Sequence, residues 1–177
     1  MAWAEEVVRF WFGLAPGQHW KKDPALDDTI SERFLGLWEE QREKLPEAFL
    51  GDAREALAAI LLFDQFPRNM FRGHADQFST DPLALAVAKG AVDRAYDDEV
   101  PKEERVFFYM PFEHSERLED QQRSLLLFTS LGDDYHLGFA KKHHDVIARF
   151  GRFPHRNAIL GRAPRPDEVE AGNVVPW

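Results

Sequence analysis

Apolar residues at helical spacing, cut into short runs by glycine and proline, constrain this chain more than any other feature. Trp3, Val7, Phe10 and Trp11 fall on one helical face, and Gly13, Pro16 and Gly17 stop the run. Asp23 before Pro24 reads as a helix start, with Ile30, Phe34, Leu37 and Trp38 on one face of a helix reaching Lys44. Asp52 is placed to cap a third helix in which Leu57, Ile60, Leu61, Leu62 and Phe63 leave little polar face, so that helix is predicted to be central and to end at Pro67. Thr80, Asp81 and Pro82 resemble a cap followed by proline and open an alanine-rich helix over Leu83 to Tyr96. A fifth helix starts at Pro101 and is kinked or ended by Pro111, and a sixth runs from Glu116 to Leu131 with Gly132 closing it. Asp133 or Asp134 opens a seventh, Gly151 closes it, and Asn157 can cap a last turn before Gly161. No β-branched run with period-two alternation competes with this reading. The prediction is an all-helical chain of antiparallel helix pairs, one domain over residues 1–177 with 163–177 as a C-terminal arm.

Charge narrows the partners. Twenty-two basic residues against 31 acids give a net charge of −9, which argues against a nucleic-acid binder that would need a basic face to displace counterions. There is no cysteine, so any metal would be held by histidine and carboxylate. The start MAWAEEVVRFWF carries acids where a signal peptide carries basic residues, and the longest apolar run, Ala56 to Phe63, is too short to cross a bilayer. The expected protein is cytoplasmic, with no nucleic-acid or membrane partner and with self-association left open.

Against that acidic background, Val146 to Pro166 holds five arginines (Arg149, Arg152, Arg156, Arg162, Arg165) and His155, and no acid. Planar guanidinium groups hold carboxylates or phosphates in bidentate fashion, so this stretch needs either acids elsewhere in the fold or an anionic ligand. Asp64, Glu113 and Glu116 are the acids expected to face it. Asp64 follows an apolar run in LLFDQFPRN, and burial would demand a partner; Arg68 is near but Pro67 makes helical geometry there doubtful, which leaves Arg72, Arg105 and Arg152 at longer range. The alternative is a buried Asp–Arg pair that fixes the helix exit. Glu113, His114 and Glu116 crowd after Pro111 as a metal site or an acid/base pair, or else Ser115 caps the sixth helix with Glu116 in its first turn. His136 and His143 share the apolar stripe of the seventh helix, His143 two turns before the arginines, as a ligand or proton carrier or as packing. An echo links the third helix, ending in FPRN (Phe66 to Asn69), to the seventh, followed by FPHRN (Phe153 to Asn157). Standard nucleotide and serine-hydrolase signatures are missing.

The segments LLFDQFPRNMFRG, FFYMPFEHSE and RFGRFPHRNAILGR resemble the bacterial domain of unknown function 924, over nearly the whole chain. The resemblance implies a tetratricopeptide-like superhelical bundle of about seven to nine helices and no established activity. Where the family pattern has methionine this chain has Glu113, which ranks His114 and Glu116 above it. The first functional expectation is a polar pocket made by Asp64, Arg68, Arg72, His114, Glu116, His143, Arg152, His155 and Arg156 that takes a small anionic molecule bearing phosphate or carboxylate. No cofactor is predicted on that reading. A second is metal-assisted hydrolysis or oxidation with His114, Glu116 and His143 holding a transition metal. A third, by fold analogy, is a scaffold binding a peptide terminus.

Overall fold

Residues 1–177 are described by a computed structural model, in which every regular element is helical. The chain divides into two compact units, Met1–Phe108 and Tyr109–Trp177. No helix is long and apolar enough to cross a membrane.

In the N-terminal unit, α1 (Ala2–Phe12) buries Val7, Val8 and Trp11, and α2 (Pro24–Gln41) starts where Asp23 accepts the backbone N–H groups of Ala25 and Leu26. Asp52 caps α3 (Ala53–Ile60) by accepting the Glu55 N–H, and all but one of the residues of α3 are buried, as expected of a central helix. The helix does not stop at Pro67. It passes through a π-helical turn, Leu61–Gln65, in which the Phe66 N–H reaches back five residues to the Leu61 carbonyl, and continues as α4 (Phe66–Met70).

Two features let the chain run past the proline. The wider turn gives the pyrrolidine ring room that a regular α-turn would deny it. In addition, the Phe63 carbonyl, which the missing N–H of residue 67 would have served, accepts instead from Thr80 Oγ1 at 2.7 Å. Trp38 Nε1 donates in turn to the same hydroxyl at 3.2 Å. Thr80 therefore stands at the start of α5 (Asp81–Val92) without capping it, contrary to the sequence expectation, because its hydroxyl is committed to the proline-bearing helix. Ala84, Val87, Ala88 and Ala91 are the buried residues of α5, small enough for close approach to α3, its main partner.

The helix α6 (Lys102–His114) begins in the first unit, ends in the second, and carries Pro111 inside it rather than stopping there. Its last carbonyls are tied off by a fully buried side chain: Gln121 Nε2 donates to the Glu113 carbonyl at 2.6 Å and the Ser115 carbonyl at 2.7 Å. Ser115 spends its hydroxyl on Asp120, 2.7 Å away, and α7 (Leu118–Leu131) starts two residues later than the sequence suggests. Gly132 adopts the left-handed conformation, Asp133 caps α8 (Asp134–Phe150), and Gly151 repeats the left-handed stop. A 3-10 turn, Pro154–Arg156, and the short α9 (Pro166–Ala171) follow. Ala171 and Val174 of the arm pack on Val146, Ile147, Phe150 and Phe153, so the arm belongs to this unit's core.

Candidate functional site

Three of the residues singled out from the sequence, Asp64, Arg68 and Arg72, lie in the N-terminal unit, and the guanidinium groups of the two arginines are already occupied. Arg68 forks onto Asp81, NH1 to Oδ1 at 2.7 Å and NH2 to Oδ2 at 2.9 Å. The same NH1 donates to the Asp64 carbonyl oxygen and lies 3.5 Å from Asp64 Oδ1. Asp64 is fully buried and accepts from Gln65 Nε2 at 2.7 Å. Residues four apart meet here because the helix continues beyond Pro67, so the partner is the near arginine. Of the longer-range candidates, Arg105 pairs with Asp98 at 3.0 Å. Arg72 forks onto Asp27, Nε to Oδ2 at 2.7 Å and NH2 to Oδ1 at 2.8 Å, with Asn69 Nδ2 on Oδ1 at 2.8 Å. Burial pushes the Asp27 carboxyl upward, but the hydrogen bonds from Arg72 and Asn69 and the nearby positive charge outweigh it, leaving the group more acidic than usual.

The other six residues come together in the C-terminal unit. Glu116 accepts Arg162 NH1 at 2.8 Å, Arg162 NH2 at 3.0 Å and the Phe153 N–H at 2.7 Å. Burial opposes ionisation of Glu116, and these donors together with the charges of Arg162 and Arg156 override it, so its carboxyl is held below the ordinary range. Arg152 faces Glu168 of α9, Nε at 2.6 Å from Oε1 and NH2 at 2.8 Å from Oε2. Asn157 Nδ2 at 2.9 Å and the Arg165 N–H at 2.7 Å complete the grip on Glu168. The Arg152 hydrogen bonds, backed by the other donors, bring its carboxyl down to about 2. The acids expected opposite Arg152 were Asp64, Glu113 and Glu116; the one it meets is Glu168, from the arm, which sequence reasoning left aside.

Around Phe153 lies a row of rings. His114 and His143 have centroids 6.3 Å apart, His143 and Phe153 5.6 Å, Phe153 and His155 5.6 Å, and His155 and Trp177 4.9 Å. Arg156 is buried, lays its guanidinium carbon 4.5 Å from the Phe153 ring centre, and donates from NH2 to the His114 carbonyl at 3.0 Å. His143 is buried with its Nδ1 3.0 Å from Glu113 Oε1 and 2.9 Å from the Phe139 carbonyl. Both neighbours only accept, so Nδ1 carries the proton. Nε2 makes no hydrogen bond within the protein, and it is the atom available to a ligand. Glu113, ranked below its neighbours in the sequence, is thus the residue that orients this imidazole.

Glu116, proposed with His114 and His143 as a metal ligand, has both oxygens engaged by Arg162, and no group of three or more His, Asp or Glu side chains is arranged to hold a metal ion. A groove of about 350 Å³ opens elsewhere, in the N-terminal unit, lined by Glu6, Arg9, Phe10, Gly13, Leu14 and Arg33. No residue singled out from the sequence as a site lines it.

Comparison with known proteins agrees with this architecture. The model of a family described as bacterial protein of unknown function (DUF924) matches residues 7–171. A solved structure of a protein of unknown function from Agrobacterium tumefaciens is similar, with a TM-score of 0.88 and 43% identity over 96% of each chain. No curated protein matches the sequence.

Proposed function

The chain belongs to the DUF924 family of bacterial proteins of unknown function, and from that premise we propose that it binds a small anionic ligand, bearing phosphate or carboxylate, at the imidazole cluster of the C-terminal unit. The observation that carries this reading is His143: a buried imidazole whose Nδ1–H is fixed by Glu113 and the Phe139 carbonyl while Nε2 has no protein partner. With the proton held on Nδ1, Nε2 accepts a hydrogen bond from the hydroxyl of a hydrogen phosphate or carboxylic acid group, and the His114 ring lies beside it. Arg68, Arg72 and Arg152, expected to contribute, are instead engaged by Asp81, Asp27 and Glu168, which centres the ligand on the histidines.

A second reading draws on the same pair. A carboxylate that orients an imidazole and leaves its far nitrogen open is also the arrangement of a general base, and it favours proton transfer over a metal-assisted step.

Thermal unfolding of the whole protein with inorganic phosphate or citrate tests the binding reading. Saturation to about a hundred times Kd stabilises by about 2.7 kcal/mol, a rise of several degrees in Tm, and the rise disappears in His143→Gln. No rise at about 10 mM anion, or the same rise in the variant, overturns the proposal.

A further inference from the structure

We infer that the groove between the last turn of α1 and the middle of α2 is a second binding site, for a small monocarboxylate with an apolar body. Its volume of about 350 Å³ is that of a small-molecule site, and two arginines, Arg9 and Arg33, line it. The Arg9 side chain is exposed and makes no hydrogen bond, ion pair or ring contact in the protein. Arg33 lies over two rings, its guanidinium carbon 4.8 Å from the Phe10 centroid and 5.1 Å from that of Phe34. Those rings are themselves fixed, Phe10 and Phe34 at 5.1 Å and Phe34 and Phe66 at 4.7 Å, so Arg33 is positioned before any ligand arrives. The acid in the groove, Glu6, meets only Arg33 NH2, at 3.1 Å, and both side chains are about half exposed, a pairing weak enough for a ligand carboxylate to replace.

Two arginines against one glutamate leave a single positive charge, which matches a monoanion and disfavours a cation. Phe10 and Leu14 supply an apolar wall for the rest of the molecule. Gly13 adds no side chain to the groove, and a Cβ there would stand 2.8 Å from the Arg9 carbonyl oxygen, so the backbone would have to shift to admit one.

Hexanoate is the probe, followed by the backbone amide and arginine Nε–H resonances of the full chain, with hexanol and inorganic phosphate as comparisons. Hexanoate is expected to shift Phe10, Leu14, Arg9 and Arg33 saturably, hexanol and phosphate to bind at least about tenfold more weakly, and Arg9→Gln with Arg33→Gln to weaken hexanoate by about tenfold or more. Both arginines are solvent-facing, so the double variant retains the fold, which its unchanged amide spectrum elsewhere will verify. His143→Gln leaves hexanoate binding here unchanged, which separates this site from the imidazole cluster. Absence of saturable shifts in the groove, equal binding of hexanol, or undiminished binding in the double variant overturns the inference.

Discussion

Thr80 serves two helices with one hydroxyl, accepting from the Trp38 indole and donating to the carbonyl that Pro67 leaves unserved. It is buried, so removing the oxygen strands a donor and an acceptor where water cannot replace it. Thr80→Val, which keeps the shape, is expected to cost about 2–6 kcal/mol, the sum of two buried unsatisfied groups. Urea unfolding measures it, and a loss below about 0.5 kcal/mol would mean that the two groups find other partners. Single residues also decide the chemistry of the C-terminal unit. Glu113 looks dispensable beside His114 and Glu116 in the string FEHSE, yet its carboxylate meets His143, thirty positions away in the chain, and Glu116 meets Arg162. Local crowding singled out the segment, and the partner of each group was set by packing that no spacing encodes.

At the level of elements, helix starts and stops were legible because each has a local cause. Asp23, Asp52 and Asp133 cap as predicted, and Gly132 and Gly151 take the left-handed stop. Pro67 was misread because a proline ends a helix only if nothing relieves it, and of the two outcomes open at Pro111, a kink or an end, the helix does not end there. A π-turn with Thr80 relieves Pro67, while past Pro111 the C-terminal end of α6 is tied by Gln121, which collects the Glu113 and Ser115 carbonyls. The echo of FPRN in FPHRN has a physical content. At each aromatic-proline step the asparagine that follows and an arginine close by in the chain, after the step in one case and before it in the other, close on one carboxylate from another element: Asn69 and Arg72 on Asp27, Asn157 and Arg152 on Glu168. Because α9 has only six residues, too few to hold a helix alone, Glu168 is what docks it. Glu168→Gln is therefore expected to raise amide exchange and protease cutting within residues 163–177 by about tenfold or more while α7 and α8 stay protected. Unchanged protection of the arm would show that Ala171 and Val174 suffice.

Over the whole molecule, acid should act in two opposed ways. The chain carries a net charge of −9 and has a pI of 5.2, so lowering the pH from 8 toward 5 relieves self-repulsion and favours the compact state. Below that, the paired carboxylates reverse the trend. Asp27, Glu116 and Glu168 are all more acidic than usual in the folded protein, Glu168 falling from 4.5 to about 2. For such a group the unfolded chain takes up the proton first. The stability it contributes is complete above about 4.5 and is lost as the pH falls toward 2. The urea midpoint is expected to peak near pH 5 and to drop steeply between pH 4.5 and 2. In Glu168→Gln that drop should be shallower, since a neutral amide has no proton to gain, although the variant starts from a lower midpoint at pH 7. If the two profiles instead ran parallel from pH 7 to 2, Glu168 would be no more acidic folded than unfolded, and the Arg152 fork would contribute nothing that depends on its charge.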